Sequence, residues 1–274
     1  MKENWNIDRM GETPKILDGQ IRDLENRILS GEFTKQDGTI DKDAISITLR
    51  TLRSIVTTAF QDLYNYLQID IPTQLNNSNG FDILFRREMS RVNRKLREIE
   101  EQKKAGEPGK LQKPYSFVIA EIDMDYLKRI NDNYGHHVGN ECIADLAKII
   151  RTTAKRLTDI KARVGGDEFY LIIPEKRSEE VIKGILEPIR DNFYEISKKI
   201  FSGRKPLHIN GSYKDKIEHG SVSIGLTECP SLSKTESEVI IHVEKALYQA
   251  KAKRGTPNEK GILSGHIVAY QKDY

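Results

Sequence analysis

The chain has 274 residues, of which 37% are apolar and 31% charged, and its formal net charge is +3. This balance is typical of a globular protein with one substantial core and a smaller module, and it argues against an extended nucleic-acid-binding surface. The first ten residues are charged throughout, and no apolar run has the length of a bilayer span. We therefore predict neither a signal peptide nor a membrane segment.

The two cysteines, Cys142 and Cys229, are far apart in the sequence and neither belongs to a CxxC pair. We expect them to be free thiols in a reducing compartment, with no disulfide and no zinc site. The histidines form no HExxH or similar ligand spacing. These features predict a cytoplasmic protein.

Two amphipathic helices are predicted at the beginning of the chain, because apolar residues recur there at steps of three and four. In the first they are Leu17, Ile21, Leu24 and Ile28, and in the second Ile45, Leu49, Leu52, Val56, Ala59, Leu63 and Tyr66. The second series makes about three heptads, which fits either a dimerising stalk or a helical hairpin within one chain. We expect residues 1–69 to form a helical regulatory or dimerisation segment and residues 70–274 to form the main domain.

The main domain is predicted to alternate helices and strands. A helix runs from Phe81 to about Lys104 and ends at the glycine- and proline-containing sequence 105–109. After it we predict a strand at 116–123, a helix starting near 124 and a second helix through 157. Strands at 162–164 and 169–174 come next, followed by a helix at 178–201 that is kinked near Pro188 and by a loop at 202–219. The last predicted elements are a strand at 219–228, a helix from the Thr235–Glu238 capping box to 253, and a strand at 266–270. This order predicts an α/β layered domain with a central antiparallel-rich sheet flanked by helices.

Acidic residues stand where two of these strands end or begin. Asp123 ends the first strand, and Asp167 and Glu168 follow Gly165 and Gly166 in a predicted hairpin. Mg²⁺ prefers a few carboxylates, and paired glycines leave room for a nucleotide against the backbone. Phosphoryl transfer requires two divalent ions close together, so this arrangement fits that chemistry. Taken alone, the hairpin fits a solvated acidic turn equally well.

The hairpin is one of five ordered motifs that together resemble those of GGDEF domains, the diguanylate cyclase family. The first two are GGDEF itself at Gly165–Phe169 and the run DMDYLKRINDNYGH at Asp123–His136, which is similar to the family's D-x-D-x-F-K-x-I-N-D-x-x-G-H. The other three are D-x-x-T-x-L-x-N at Asp70–Asn77, S-I-G at Ser223–Gly225 and A-L-Y-Q-A-K at Ala246–Lys251. The resemblance implies that residues 70–274 form a palm-like GGDEF nucleotidyl cyclase domain, which joins two nucleoside triphosphates into a cyclic dinucleotide.

The resemblance also implies which residues form the site. The metal ligands are Asp123, the carbonyl of Met124, Asp167 and Glu168, and they would hold two Mg²⁺ ions, or Mn²⁺ in their place. The catalytic residues are Asp123, Asp167, Glu168 and Lys128. The substrate-binding residues are Asn131, which would bind the base, and His136, Asn140, Gly165, Gly166, Lys251 and Arg254.

The triphosphate site has a physical basis besides the resemblance. Lys128 stands in the helix that follows Asp123, and the N-terminus of a helix together with a lysine attracts anions. The resemblance adds Lys251 to this site. It further implies a homodimer, in which each chain holds one GTP and each 3′-hydroxyl attacks the α-phosphate of the other nucleotide to give cyclic di-GMP. Neither nucleic acid nor a membrane is expected as a partner.

Arg156 and Asp159 resemble the family's RxxD inhibitory site, where the cyclic dinucleotide product binds. An arginine can donate a pair of hydrogen bonds to a phosphate or a guanine edge, while a carboxylate accepts from guanine N–H groups. The alternative is a helix-end ion pair, which contributes little at a surface.

In the first motif along the chain, Pro72 replaces the family's leucine and Ser78 its arginine. Two further departures concern the substrate site. Asn140 replaces the guanine-reading aspartate of G-H-x-x-G-D, so ATP is an alternative substrate and cyclic AMP-GMP or cyclic di-AMP an alternative product. Arg254 stands one place earlier than the family's arginine after Lys251. A non-catalytic nucleotide receptor is a further alternative, which the complete set of candidate catalytic residues disfavours. A nucleic-acid polymerase is disfavoured by the weak basic charge.

Overall fold

The computed structural model describes residues 19, 22–23, 26–27, 30–35, 38–66, 68–105, 114–209, 212–213 and 216–271. The chain divides into two compact units, Met1–Leu67 and Gln68–Tyr274. The functional division between residues 69 and 70 stays a prediction. In the part of the chain that the structure describes, no helix is both long enough and apolar enough to cross a membrane.

The first unit contains helix α1 (Lys42–Tyr66), which confirms the second predicted helix. Asp41 precedes α1, and its side chain accepts a hydrogen bond of 3.0 Å from the Asp43 N–H. Leu49 and Leu63, two members of the heptad series, are 57% and 47% exposed. The first predicted helix rests on Leu17, Ile21, Leu24 and Ile28, which lie outside the described residues.

The second unit is an α/β domain. Its helices are α2 (Ser78–Lys104), α3 (Leu127–Tyr134), α4 (His136–Thr153), α5 (Ser178–Val181), α6 (Glu187–Phe201) and α7 (Glu236–Ala252), with a π-helical turn (Ile182–Leu186) between α5 and α6. Its strands are β1 (Ile69–Asp70), β2 (Leu75–Asn76), β3 (Phe117–Met124), β4 (Ile160–Arg163), β5 (Glu168–Pro174), β6 (His208–Ile209), β7 (Ser212–Tyr213), β8 (Val222–Cys229) and β9 (Ile267–Ala269).

Seven strands form one sheet in the order β1-β2-β4-β5-β3-β8-β9, and β6 pairs with β7 separately. The central pairs β4–β5, β5–β3 and β3–β8 are antiparallel, while β2–β4 and β8–β9 are parallel. This arrangement confirms the predicted antiparallel-rich sheet flanked by helices.

Strand β3 lies in the middle of the sheet, and all eight of its residues are buried. Alternate side chains of a strand point to opposite faces. Val118 and Ile122 pack into the core formed with α3, α4 and α6, whereas Phe117 and Ile119 pack into the core formed with α2 and α7. Burial on both faces explains why β3 reads as a nearly continuous apolar run.

The structure differs from the sequence-based elements at several places. Strands β1 and β2 were not predicted, and the helix predicted from Phe81 begins at Ser78. The helix predicted through Leu157 ends at Thr153, and Leu157 is fully exposed, because the chain turns there toward β4. Residues 202–219, predicted as a loop, contain the short strands β6 and β7. Helix α3 begins at Leu127, not near Met124, since β3 continues to Met124. The expected break near Pro188 is confirmed as the π-helical turn, after which Pro188 lies in the first turn of α6.

Candidate active site

The candidate carboxylates meet at one end of the central strands. Asp123 lies near the end of β3, directly opposite Glu168 of β5 and Ser223 of β8. The N–H of Met124 donates a hydrogen bond of 3.2 Å to the carbonyl of Asp167, which joins β3 to the hairpin turn between β4 and β5. The structure therefore brings together Asp123, Asp167 and Glu168, which the sequence separates widely.

The two glycines of the hairpin have different surroundings. A Cβ added at Gly165 would lie 2.5 Å from Oε2 of Glu168, so this position requires glycine as long as the Glu168 side chain lies over the turn. Gly166 is exposed, and its carbonyl accepts a hydrogen bond of 2.8 Å from Arg163. Arg163 also lies 3.2 Å from the Asp70 carboxylate, so the motif that begins at Asp70 supports the hairpin.

Lys251, at the end of α7, lies against the candidate metal ligands. Its Nζ atom is 2.6 Å from Oδ2 of Asp123. Asp123 is buried, with only 4% of its surface exposed. The pKa of Asp123 is raised to about 6, mainly by burial and also by neighbouring Asp167 and Asp125, against the lowering effect of the Lys251 ammonium. A cation therefore already lies beside this carboxylate, which is unfavourable to ionise without one.

Asp125, the second aspartate of the D-x-D motif, is held by hydrogen bonds next to the candidate metal ligands. The hydroxyls of Ser221 and Ser223 each donate a hydrogen bond of 2.7 Å to its buried carboxylate. Burial raises its pKa, and these hydrogen bonds and nearby Arg254 lower it. The Nε atom of Arg254 is 3.7 Å from Asp125, and its guanidinium lies 5.3 Å from the ring centroid of Tyr126. Arg254 thus reaches the site although it stands one place early in the sequence.

Helix α3 begins beside this cluster with its N-terminus uncapped by a side chain. Tyr126, the residue before the helix, is left-handed with φ of 59° and makes no capping hydrogen bond. The N–H groups of the first turn are therefore available to an anion. Lys128 is exposed in the same turn. A triphosphate site at this helix end stays a prediction.

The predicted base-binding residues lie on α3 and α4. Oδ1 of Asn131 is buried and has no hydrogen-bond partner among the described residues. A Cβ at Gly139 would collide with that same oxygen, so α3 and α4 approach each other closely here. His136 and Asn140 are exposed on the first turns of α4. No contact between described residues joins these three side chains to Asp123.

Sequence reasoning missed Glu121, which shares the face of β3 that carries Asp123. Glu121 is only 6% exposed. Its pKa is raised to about 7, mainly by burial and also by Glu168 and Glu244, although a hydrogen bond from Tyr170 and the charge of Lys251 lower it. The available signal was a charged residue inside an apolar strand, which has a cost unless it has a partner or a function.

Arg156 and Asp159 lie at the opposite end of the sheet, in the turn between α4 and β4. Oδ2 of Asp159 accepts a hydrogen bond of 3.0 Å from the Arg156 N–H, and the Arg156 guanidinium donates one of 3.0 Å to the Pro174 carbonyl. Glu175 lies 3.9 Å from the same guanidinium. The other carboxylate oxygen of Asp159 is buried and lacks a partner within the described chain. The pair thus shapes the turn and leaves one acceptor free.

The site combines carboxylates at the end of a central β-hairpin with a lysine and an uncapped helix N-terminus. An α/β domain with these features is suited to binding a nucleotide and cations. The description "Diguanylate cyclase, GGDEF domain" matches residues 67–256. The chain belongs to the GGDEF domain family. The resemblance of the five motifs is thereby confirmed.

Individual relatives agree with this assignment. The bifunctional diguanylate cyclase/cyclic di-GMP phosphodiesterase MucR of Pseudomonas aeruginosa is 32% identical over 142 residues, which are 49% of this chain and 17% of MucR. The response regulator PleD of Caulobacter vibrioides is 28% identical over 131 residues, 48% of this chain and 26% of PleD. The chain thus spans about a sixth to a quarter of these relatives.

Among solved structures, the coiled coil and GGDEF domain of DgcB from Caulobacter crescentus, in complex with c-di-GMP, resembles the chain with a TM-score of 0.56. The sequences are 22% identical, and the match covers 83% of this chain and 98% of the DgcB chain. At this identity the likeness shows the fold.

Proposed function

We propose that the chain is a diguanylate cyclase, which condenses two GTP molecules into cyclic di-GMP. The observation that carries this proposal is the convergence of Asp123, Asp167 and Glu168 at one end of the central strands, with Lys251 2.6 Å from Asp123. Membership of the GGDEF family and the cyclase relatives support it. The reaction would take place in the cytoplasm.

The donor set fits two Mg²⁺ ions, or Mn²⁺. Asp123, Asp167, Glu168 and the Met124 carbonyl would hold them. Within the described residues, no three acidic, histidine or cysteine side chains form a metal cage. Mg²⁺ keeps several waters and uses only one or two carboxylates when a substrate phosphate completes its shell, so an open site suits it. When bound, the ions would neutralise phosphate charge and orient the reacting oxygens.

The protein's own cations would bind the triphosphate. Lys251, which contacts Asp123, would bind a phosphate oxygen, and so would Lys128, which lies in the first turn of α3 beside the free N–H groups. Arg254, whose Nε atom is 3.7 Å from Asp125, would add a further donor. The glycines of the hairpin would let the substrate approach the backbone.

Asn131 would bind the base through its buried, unpartnered Oδ1, which accepts from an N–H group. Asn140 offers one acceptor and one donor group, whereas an aspartate offers two acceptors for the guanine N1–H and N2 amine. Asn140 is also exposed, so water can satisfy the unmatched group. These observations support GTP as the main substrate and ATP as a second one, with cyclic AMP-GMP or cyclic di-AMP as a minor product.

A homodimer would bring two such sites together. The exposed Leu49 and Leu63 of α1 support self-association of the N-terminal helix, since apolar heptad positions are buried by a partner helix in a coiled coil. Arg156 and Asp159 would bind the cyclic product as an inhibitor, and the free Asp159 oxygen supplies the acceptor. In this proposal the N-terminal helix controls activity by controlling dimerisation.

Incubation of the purified protein with Mg²⁺ and GTP, ATP or both, followed by mass spectrometry of the products, tests the function. We expect mainly cyclic di-GMP, formed only with a divalent ion. Nucleotide binding without any cyclic product would instead support a receptor.

A further inference from the structure

Glu121 is an acidic residue in the interior of the most buried strand of the domain. It precedes Asp123 by two positions and therefore lies on the same face of β3, roughly 6–7 Å away along the strand. Its neighbours across the sheet are Tyr170 on β5 and Gly225 on β8. At 6% exposure it has almost no access to bulk water.

Helix α7 closes over this position. A Cβ at Gly225 would collide with the backbone of Leu247, so α7 packs directly on β8 beside Glu121. The same helix carries Lys251, and the exposed Glu244 stands two turns earlier. Glu121 is thus covered by the helix that delivers the candidate phosphate-binding lysine.

The hydrogen bonds and charges around Glu121 are unbalanced. Tyr170 donates a hydrogen bond to the Glu121 carboxylate. The Oε2 atom of Glu121, however, has no hydrogen-bond partner among the residues that the structure describes. Glu168 and Glu244 repel its charge, and Lys251, which attracts it, has its ammonium 2.6 Å from Asp123. A buried carboxylate with a free oxygen is costly, and such groups are normally paired or coordinate a metal.

We propose that Glu121 is a positioning residue of the cation site, whose free oxygen accepts a hydrogen bond from a water molecule on the divalent ion held at Asp123. This inference rests on the proposed function in one respect, that Asp123 binds a divalent ion. Mg²⁺ and Mn²⁺ retain water in protein sites, and residues that hold such outer-shell groups typically contribute 10–100-fold to metal affinity. Glu121 lies one pleat behind Asp123, at a distance suited to an indirect contact.

Binding of Mn²⁺ alone to the full chain, measured by electron paramagnetic resonance, tests the proposal. Glu121→Gln keeps the shape and removes the charge, and we expect it to weaken Mn²⁺ binding about 10–100-fold. Two matched controls are available. Glu88→Gln changes a buried glutamate remote from the site, and Glu244→Gln changes an exposed one beside Glu121; both should bind Mn²⁺ within about threefold of the unaltered protein, because exposed charges are screened and remote ones do not touch the ion.

Thermal unfolding provides a second readout that separates this role from a structural one. Without metal, Glu121→Gln should unfold at the same or a higher temperature than the unaltered protein, because it removes an unpaired buried charge. Added Mn²⁺ should raise the unfolding temperature of the unaltered protein more than that of the variant.

Equal Mn²⁺ affinity in the Glu121→Gln variant and the unaltered protein would overturn the inference, and so would an equally large loss in Glu244→Gln. Absence of Mn²⁺ binding by the unaltered chain would overturn it as well. A protein that makes no cyclic dinucleotide, yet loses Mn²⁺ affinity through Glu121→Gln, would refute the cyclase and leave this inference standing.

Discussion

Two buried glutamates, Glu121 and Glu88, lie toward opposite ends of the central sheet and have opposite surroundings. Glu88 of α2 is 1% exposed and accepts hydrogen bonds from the hydroxyl of Tyr115 and, at 2.8 Å, from Arg91. Glu121 is 6% exposed and also has a tyrosine, Tyr170, but its other oxygen has no partner within the described chain. The same residue type with the same kind of neighbour is thus satisfied at one end and left unsatisfied at the other.

The difference indicates what each charge is for. A buried carboxylate with its own arginine is complete as folded, so it can only hold the structure together. A buried carboxylate without one is stable only if a cation arrives from outside or if the surrounding fold bears the cost. The free oxygen of Asp159 is another buried acceptor without a partner in the described chain, and at the candidate inhibitory site a hydrogen-bond donor of the product would satisfy it.

The largest effect is expected from Asp167→Asn at the unsatisfied end. The change removes one charge from the site that we propose to hold two cations, and metal catalysis supplies several kcal/mol, so turnover should fall by at least about 10³-fold. Asp167 is the better target than Asp123, since Asp123→Asn would also release Lys251. Initial rates of cyclic dinucleotide formation measure the loss.

The fold should survive Asp167→Asn, because the Met124 N–H bonds to the backbone carbonyl of residue 167 and not to its side chain. Circular dichroism and the unfolding temperature provide this control. Turnover at the unaltered rate would remove Asp167 from the metal site.

At the satisfied end, Glu88→Gln should lower the free energy of unfolding by about 1–3 kcal/mol, because the amide keeps only one acceptor oxygen for its two donors, Arg91 and the Tyr115 hydroxyl, and removes the charge that pairs with Arg91. Urea denaturation of the two glutamine variants, compared without metal, measures the effect. A loss of stability in Glu121→Gln as large as that in Glu88→Gln would abolish the contrast between the two ends.

Arg156→Ala examines the candidate inhibitory site. The side chain can donate two charged hydrogen bonds to the product, so its loss should weaken product inhibition about tenfold or more. The initial rate should not change, because Arg156 lies at the end of the sheet remote from Asp123. Progress curves with added cyclic di-GMP measure both quantities.

Glu175→Gln is a suitable control, since Glu175 neighbours the guanidinium and belongs to no candidate site. Identical inhibition of Arg156→Ala and the unaltered protein would make the pair a turn-stabilising element alone.

Much of the fold could be predicted from local pattern. The amphipathic periodicity of α2, the apolar run of β3 and the Thr235–Glu238 capping box each mark an element through residues close in sequence, and the structure contains all three. The short strands β6 and β7 could not be predicted, because each pairs only two residues and carries no apolar alternation.

The candidate site divides in the same way. Asp123 and the hairpin carboxylates were found because motifs preserve local spacing. The neighbours of Glu121 were not, since Tyr170 and α7 approach it only after β5 and β8 have paired with β3. For the same reason the sequence assigned Asp123 and Lys251 to metal and phosphate separately and did not predict that they contact each other.

The smallest effect is expected at Asn140, because this residue is exposed and a hydrogen-bond mismatch there costs less than in a buried site. An amide opposite guanine leaves a donor facing a donor, which costs about 1–3 kcal/mol when the groups are buried. Asn140 is exposed, so water can relieve the mismatch and the lower limit of about 1 kcal/mol applies, roughly fivefold in selectivity. Asn140→Asp should therefore raise the preference for GTP over ATP by about fivefold, measured from the product ratio with both nucleotides at equal concentration. The buried Oδ1 of Asn131 should hold most of the remaining guanine preference, because it has no other partner in the described part of the chain. An unchanged product ratio in Asn140→Asp would show that residue 140 does not contact the base, and base selection would then rest on Asn131.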